Sequence, residues 1–141
     1  MFKRLRNQRG AALLETAITL PLVLLVSVSI FEFGRAYQTW QVLTNAAREG
    51  ARMAVLEQYT DTQVSTTVRN YLTGGKLTNA AAATINVVRN EPFGTKTASR
   101  ITVNYPFSFM VLSPVAQLVR GGSTVGRPLT MQSSALMRNE Q

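Results

Sequence analysis

Three patterns of hydrophobic and polar positions succeed one another along the chain. Residues 16–31 carry no charge, and 20–26 show no polar stripe. A soluble helix of this length keeps one polar side, so an all-round apolar run reads as a helix in lipid. With 11–14 and Phe33 added, and Glu15 and Glu32 as interruptions, the run reaches the ~20 residues that cross a bilayer. After Gly34 the pattern turns amphipathic. Tyr37, Trp40, Leu43 (or Thr44), Ala47, Ala51 and Val55 recur at helical spacing, with Gln38, Gln41, Asn45, Arg48, Glu49 and Arg52 opposite. The expectation is one helix over 11–57, membrane-spanning over about 13–33 and amphipathic beyond it. At 1.5 Å per residue it measures ~70 Å.

The third pattern, 58–141, predicts a small domain outside the membrane. A short helix is expected over 61–72, capped by Thr60 or Asp61, with Val64, Val68 and Tyr71/Leu72 on one face and Gly74-Gly75 at its end. Three strands follow. Residues 84–89 form a short one, and Glu91-Pro92-Phe93-Gly94 marks the turn after it. Residues 100–110 alternate, with Ile101, Val103, Tyr105, Phe107 and Phe109 on one face. Pro106 lacks an N–H and is expected at an edge, a bulge or a break. Residues 129–137 form the third strand, with Leu129, Met131, Ser133, Ala135 and Met137 sharing a face. A helical turn at 114–120 is expected to pack on the sheet, the alternative being that its apolar side dips toward the membrane. The fold class is therefore α+β: a long amino-terminal transmembrane helix running into a short helix and a small antiparallel sheet.

Charge adds a direction. The 141 residues hold fifteen Lys+Arg against seven Asp+Glu, a formal +8. Lys3, Arg4, Arg6 and Arg9 place four positive charges in the first ten residues, with no negative one. Half the excess thus precedes the apolar run, which reads as a topology signal that keeps this end cytoplasmic and the domain outside. No partnership with nucleic acid is expected. The chain has no His and no Cys, which excludes a Cys/His metal site, a cysteine nucleophile, a Ser-His-Asp triad and any disulfide. No other catalytic constellation is visible, so the expectation is a non-enzyme with no cofactor and no metal.

Several segments carry competing readings. The amino-terminal run fits an ordinary signal peptide with small residues at Ser27-Val28-Ser29, or a plain uncleaved anchor. A third reading starts from Glu15. A carboxylate in lipid costs at least ~2.5–3.5 kcal/mol and is a functional candidate by default, unless it sits at headgroup depth near Arg9. Were the chain cut after Gly10, Glu15 would be its fifth residue. Arg35 can snorkel to the headgroups. Tyr37 and Trp40 suit either an interfacial aromatic belt or the packing face of the outer domain. Ala47, Gly50 and Ala51 permit close backbone approach, to neighbouring helices or to this chain's own domain. Gly121-Gly122-Ser123 reads as a flexible turn rather than a phosphate loop. Glu57, Asp61 and Glu91 are too scattered for a cation set. Arg69, Lys76, Arg89, Lys96, Arg100, Arg120, Arg127 and Arg138 read as solvated surface charge, the alternative being a basic face toward anionic lipid or a polyanion.

A short basic leader ending in Gly10, followed by a hydrophobic helix with Glu at its fifth position, resembles the processing site of type IV prepilins. Pro21 also fits as the site of a helix kink, which membrane helices tolerate. The ordered set Arg9-Gly10, Glu15, Pro21, then 31–35 (Phe-Glu-Phe-Gly-Arg), then 43–52 (Leu-Thr-Asn-Ala-Ala-Arg-Glu-Gly-Ala-Arg) resembles the TadE-like family. These are pseudopilins of the tight-adherence, or Flp, pilus system. The run 101–107 has a looser likeness to the family's outer domain. The resemblance implies cleavage between Gly10 and Ala11 by a prepilin peptidase, and inner-membrane retention with the domain outside. It implies that Glu15 aligns the subunit with a neighbour's free amino terminus, where paired opposite charges avoid isolated burial. Partners would be the bilayer, the peptidase, other pilins or pseudopilins and the assembly platform. Thr16 stands where Flp major pilins tend to have Tyr, and those pilins are far shorter. Both facts argue against the main filament subunit. The absence of a much longer carboxyl-terminal region argues against the TadG type.

Overall fold

The computed structural model describes residues 8–120 and 127–139. The basic leader as far as residue 7, and the Gly-rich 121–126 segment, lie outside the described residues. Helix α1 (Gln8–Ala54) is 47 residues long and runs unbroken past Pro21. Helix α2 (Asp61–Gly74) follows, then a 3-10 turn (Ala80–Ala82). Strands β1 (Thr84–Phe93) and β2 (Lys96–Phe107), helix α3 (Leu112–Arg120) and strand β3 (Leu129–Arg138) complete the order. The sheet is antiparallel in the order β1-β2-β3. Both α1 and α2 lie on one of its faces, α1 over β2 and β3 and α2 beside β1.

The two halves of α1 meet different surroundings. Residues 10–26 are exposed on every side, and the most apolar 18-residue window within Gly10–Ala54 has a mean hydropathy of 2.1 with nothing buried. The hydroxyls of Thr16, Thr19, Ser27 and Ser29 each donate to the carbonyl four residues earlier, so these polar groups need no water. From Glu32 onward one narrow stripe is buried: Glu32, Ala36, Thr39, Leu43, Ala46, Ala47, Gly50, Ala51 and Ala54. This corrects the amphipathic reading at two places. Tyr37 and Trp40 are not on the packed stripe; they are 61% and 46% exposed. The sheet has settled on the side where small residues let it approach, not on the side with the largest apolar area.

The helix ends at Ala54, not Glu57, because other groups take its terminal carbonyls. Arg89 Nη1 donates to Ala54 O at 2.9 Å, Arg89 Nη2 to Tyr59 O, and Arg89 Nε to Asp61 at the start of α2. One guanidinium thus fastens the α1–α2 corner to β1. Arg69 likewise donates to the carbonyls of Ala80 and Ala81. These two arginines are structural rather than free surface charge. Helix α2 begins as its sequence predicts, with Thr60 and Gln63 bonding reciprocally in a capping box.

The inner face of β2 carries Ile101, Val103, Tyr105 and Phe107, all buried, and Phe109 packs behind them. Pro106 lies beyond the start of β1, where β2 is paired only with β3, so it occupies a local edge. The predicted turn at 91–94 is displaced. β1 continues to Phe93 across a bulge between Val88 and Glu91, where Asn90 takes φ 57°, and the reversal falls at Gly94 with φ 64°. The bulge sets Glu91 opposite Ala98, within reach of Arg100, whose Nε and Nη2 donate to the two carboxylate oxygens at 2.6 and 3.1 Å.

Those hydrogen bonds hold the Glu91 carboxyl below its ordinary range, and they raise Arg100 further above its own. A carboxylate with a depressed folded-state pKa stabilises the fold above its unfolded value. That contribution is lost as pH falls through the folded value. Acidification below the usual carboxylate range is therefore expected to loosen the β1–β2 tip. Hydrogen exchange at Thr97 and Ala98 should show it. In Arg100→Gln the Glu91 carboxyl, followed by NMR, should titrate at higher pH.

Candidate functional site

The residues singled out by sequence fall into three places on α1. Gly10, Ala11 and Glu15 lie in the bare amino-terminal part, all exposed, with Glu15 one turn into the helix from Ala11. Pro21 lies in the same bare part. Its ring cannot donate to the carbonyl of Ala17, so one rung of the helix is missing inside the apolar span. Among the described residues, no other element covers this region.

Ala47, Gly50 and Ala51 lie at the other end, and they are packed within the chain. A Cβ built on Gly50 would stand 2.5 Å from Val68 Cγ2 on α2 and 3.3 Å from Ile101 Cγ2 on β2. These small residues are spent on the chain's own domain, which leaves them unavailable to a neighbouring helix. Between the two regions is the junction, at the level where the apolar span ends.

The junction is built on Glu32. Its side chain is 1% exposed. Val111 N donates to Oε1 at 2.6 Å, and Arg35 Nη2 donates to Oε2 at 3.0 Å. Arg35 Nη2 also donates to Ser108 O, and its guanidinium carbon stands 4.7 Å over the Phe107 ring. The buried Arg35 Nε has no hydrogen-bond partner among the described residues. Arg35 is thus held between the helix and the 107–111 segment, instead of extending freely toward headgroups. Phe109 packs edge-on against both Phe107 and Phe33, with ring centroids 5.2 and 6.0 Å away. Tyr37 and Trp40 face outward, 6.2 Å apart, and the Tyr37 hydroxyl accepts from Gln41.

Sequence reasoning took Glu32 as an interruption of the apolar run and as part of the 31–35 motif, without assigning it a partner. The available signal was the arginine at i+3, the spacing at which helix side chains meet. Among the described residues, no cluster of three or more His, Cys, Asp or Glu could hold a metal.

The chain defines, at the level of class, an α+β protein in which, among the described residues, one long apolar helix suggests a single-pass membrane anchor. The family model described as TadE-like protein matches residues 10–52. That span covers α1 apart from two residues at each end, and it stops before the sheet. The match agrees with the motif resemblance and supports a Tad pilus-associated protein. No curated protein and no solved structure matches the chain.

Two outcomes follow from this geometry. Glu32→Ala removes the acceptor of Val111 N–H and the partner of Arg35, and is expected to cost about 2–3 kcal/mol locally. Faster hydrogen exchange at Val111, with the Val103 amide unchanged, is the expected record of it. Glu32→Gln, which keeps an acceptor, should lose less. At Gly50, alanine would add up to ~1 kcal/mol of helix propensity, but crowding a stiff buried Val68 costs ~1–3 kcal/mol. Gly50→Ala should therefore weaken the domain, read as faster exchange of β2 amides. Val68→Ala should remove part of that crowding in the double variant.

Proposed function

We propose that the chain is a TadE-like pseudopilin: a non-catalytic, membrane-anchored subunit that takes part in the assembly or initiation of a Tad/Flp pilus used in surface adhesion. Residues 1–10 are its leader, 11–57 the stalk and its continuation, and 58–141 the outer domain. A prepilin peptidase cuts between Gly10 and Ala11 on the cytoplasmic side of the bacterial inner membrane. The new α-ammonium at Ala11 and the carboxylate of Glu15 then serve subunit register. Pro21 lets the helix bend, and Arg35, Tyr37 and Trp40 mark the outer interface.

One observation carries the reading: the TadE-like match spans a helix whose first half is apolar and uncovered by the rest of the described residues. A helix of that kind must have lipid or other helices around it. Glu15 is exposed on that surface, where an unpaired charge is costly and a neighbour's ammonium would relieve it.

The intact mass of protein recovered from host membranes tests the processing step. The expected species begins at Ala11. A chain beginning near residue 30 would replace this reading by a secreted module, and one retaining Met1 by a simple anchored domain. Gly10→Leu should block maturation. Glu15→Ala should mature normally yet fail to support piliation, and normal pili at normal protein levels would contradict the register role.

A further inference from the structure

Helix α3 was expected on the sheet, but its packing partner is α1. At 3.6 residues per turn, Leu112, Val115, Ala116 and Leu118 fall on one side of it, and Ser113, Pro114 and Gln117 on the other. Leu112 and Ala116 are half-buried, whereas Val115 is 40% and Leu118 87% exposed. Met110 and Val111, just before the helix, are also open. An uncovered apolar edge of this kind, on a domain this small, calls for an occupant.

We propose that α3 is an interfacial helix that lies on the outer leaflet and seats the domain on the bilayer. The position of α3 along the stalk supports this. The hydrogen bond from Val111 N to Glu32 fixes its start at the level where the apolar span of α1 ends. Its apolar edge is therefore continuous with the lipid-facing surface of α1, through the contact of Phe109 with Phe33. The opposite end of the domain stands far from that level, since Ser99 meets the last turn of α1 at Ala54. Twenty-two residues of helix separate Glu32 from Ala54, about 33 Å of rise. Exposed Lys76 lines the same groove as Arg35 and Met110, which suits an anionic headgroup. An amphipathic helix in this position places its apolar side about 5–10 Å into the headgroup and acyl boundary. Seating at two points, α1 and α3, would set the tilt of the domain relative to the membrane. The inference rests on the membrane-anchor reading.

The natural chain has no cysteine, so single labels are clean. Leu118→Cys, Thr95→Cys and Leu24→Cys, each carrying a fluorophore, would be reconstituted as full chains in vesicles of phosphatidylethanolamine and phosphatidylglycerol with chain-labelled quencher lipid. The expected result is strong quenching at 24, quenching at 118 several-fold above that at 95, and no dependence on protein density. Equal quenching at 118 and 95, with 24 still quenched, overturns the seating and leaves the anchor intact. Quenching at 118 that vanishes on dilution to one chain per vesicle overturns it in favour of a second copy. Absence of quenching at 24 overturns the anchor and the seating together.

Discussion

The rest of the structure depends on how closely the sheet approaches the upper half of α1. Ala46, Ala47, Gly50 and Ala51 leave the helix backbone nearly bare on one side, and Val68 and Ile101 fill the space. A larger residue in that stripe would push α2 and β2 outward together, because both touch Gly50. The interface is thin in side-chain volume, so it relies on fit more than on area, and protein interiors pack tightly enough for one methyl to matter. The core that results is small. Arg89 reinforces its distal corner by donating to Asp61 and to the carbonyls of Ala54 and Tyr59.

Glu32 solves a second problem, at the opposite end. Where the helix leaves its apolar span, the sheet's last turn must be attached without leaving polar backbone unsatisfied. A buried carboxylate accepts the Val111 N–H while Arg35 balances its charge and reaches the Ser108 carbonyl. Charge-assisted bonds of this sort are stronger and more directional than apolar contact. The domain is therefore clamped at both ends of its contact with α1, by an acid below and an arginine above, with small residues between.

The elements that were legible in the sequence are those governed by local rules. The all-apolar run, the start of α2 at its Thr60 or Asp61 cap and the alternation of β2 each appear where the residues place them. The docking side of α1 was not legible. Hydrophobicity ranks Tyr37 and Trp40 above Ala36 and Thr39, whereas the sheet selects for low volume, a property that depends on what approaches. The bulge in β1 was hidden because Glu91-Pro92-Phe93-Gly94 has turn chemistry, yet pairing with β2 absorbs its first three residues. The amphipathic pattern of α3 could be read, but not which surface it would meet. Of the candidate functional residues, the motif around Gly10 and Glu15 was legible as a resemblance. Glu32 was passed over because a charge beside an apolar run looks like a boundary until its partner 79 residues away is known.

Helical geometry links Glu15 and Glu32. Glu15 precedes Glu32 by 17 positions, a single residue short of five full turns, so it lies about a quarter-turn from the side that the domain covers. Phe33, 18 positions after Glu15, returns to its side, and Tyr37 and Trp40 follow nearby at four and seven residues further on. All three rings are exposed. The flank of α1 that carries Glu15 is thus continued upward by aromatic side chains and left uncovered by the sheet. A neighbouring stalk that approached Glu15 would meet those rings and, beside Phe33, the Phe109 ring of the domain, rather than the sheet. The pairing proposed at Glu15 therefore needs no rearrangement of the outer domain, because the small-residue stripe and the Glu32 clamp already hold that domain to another side of the helix.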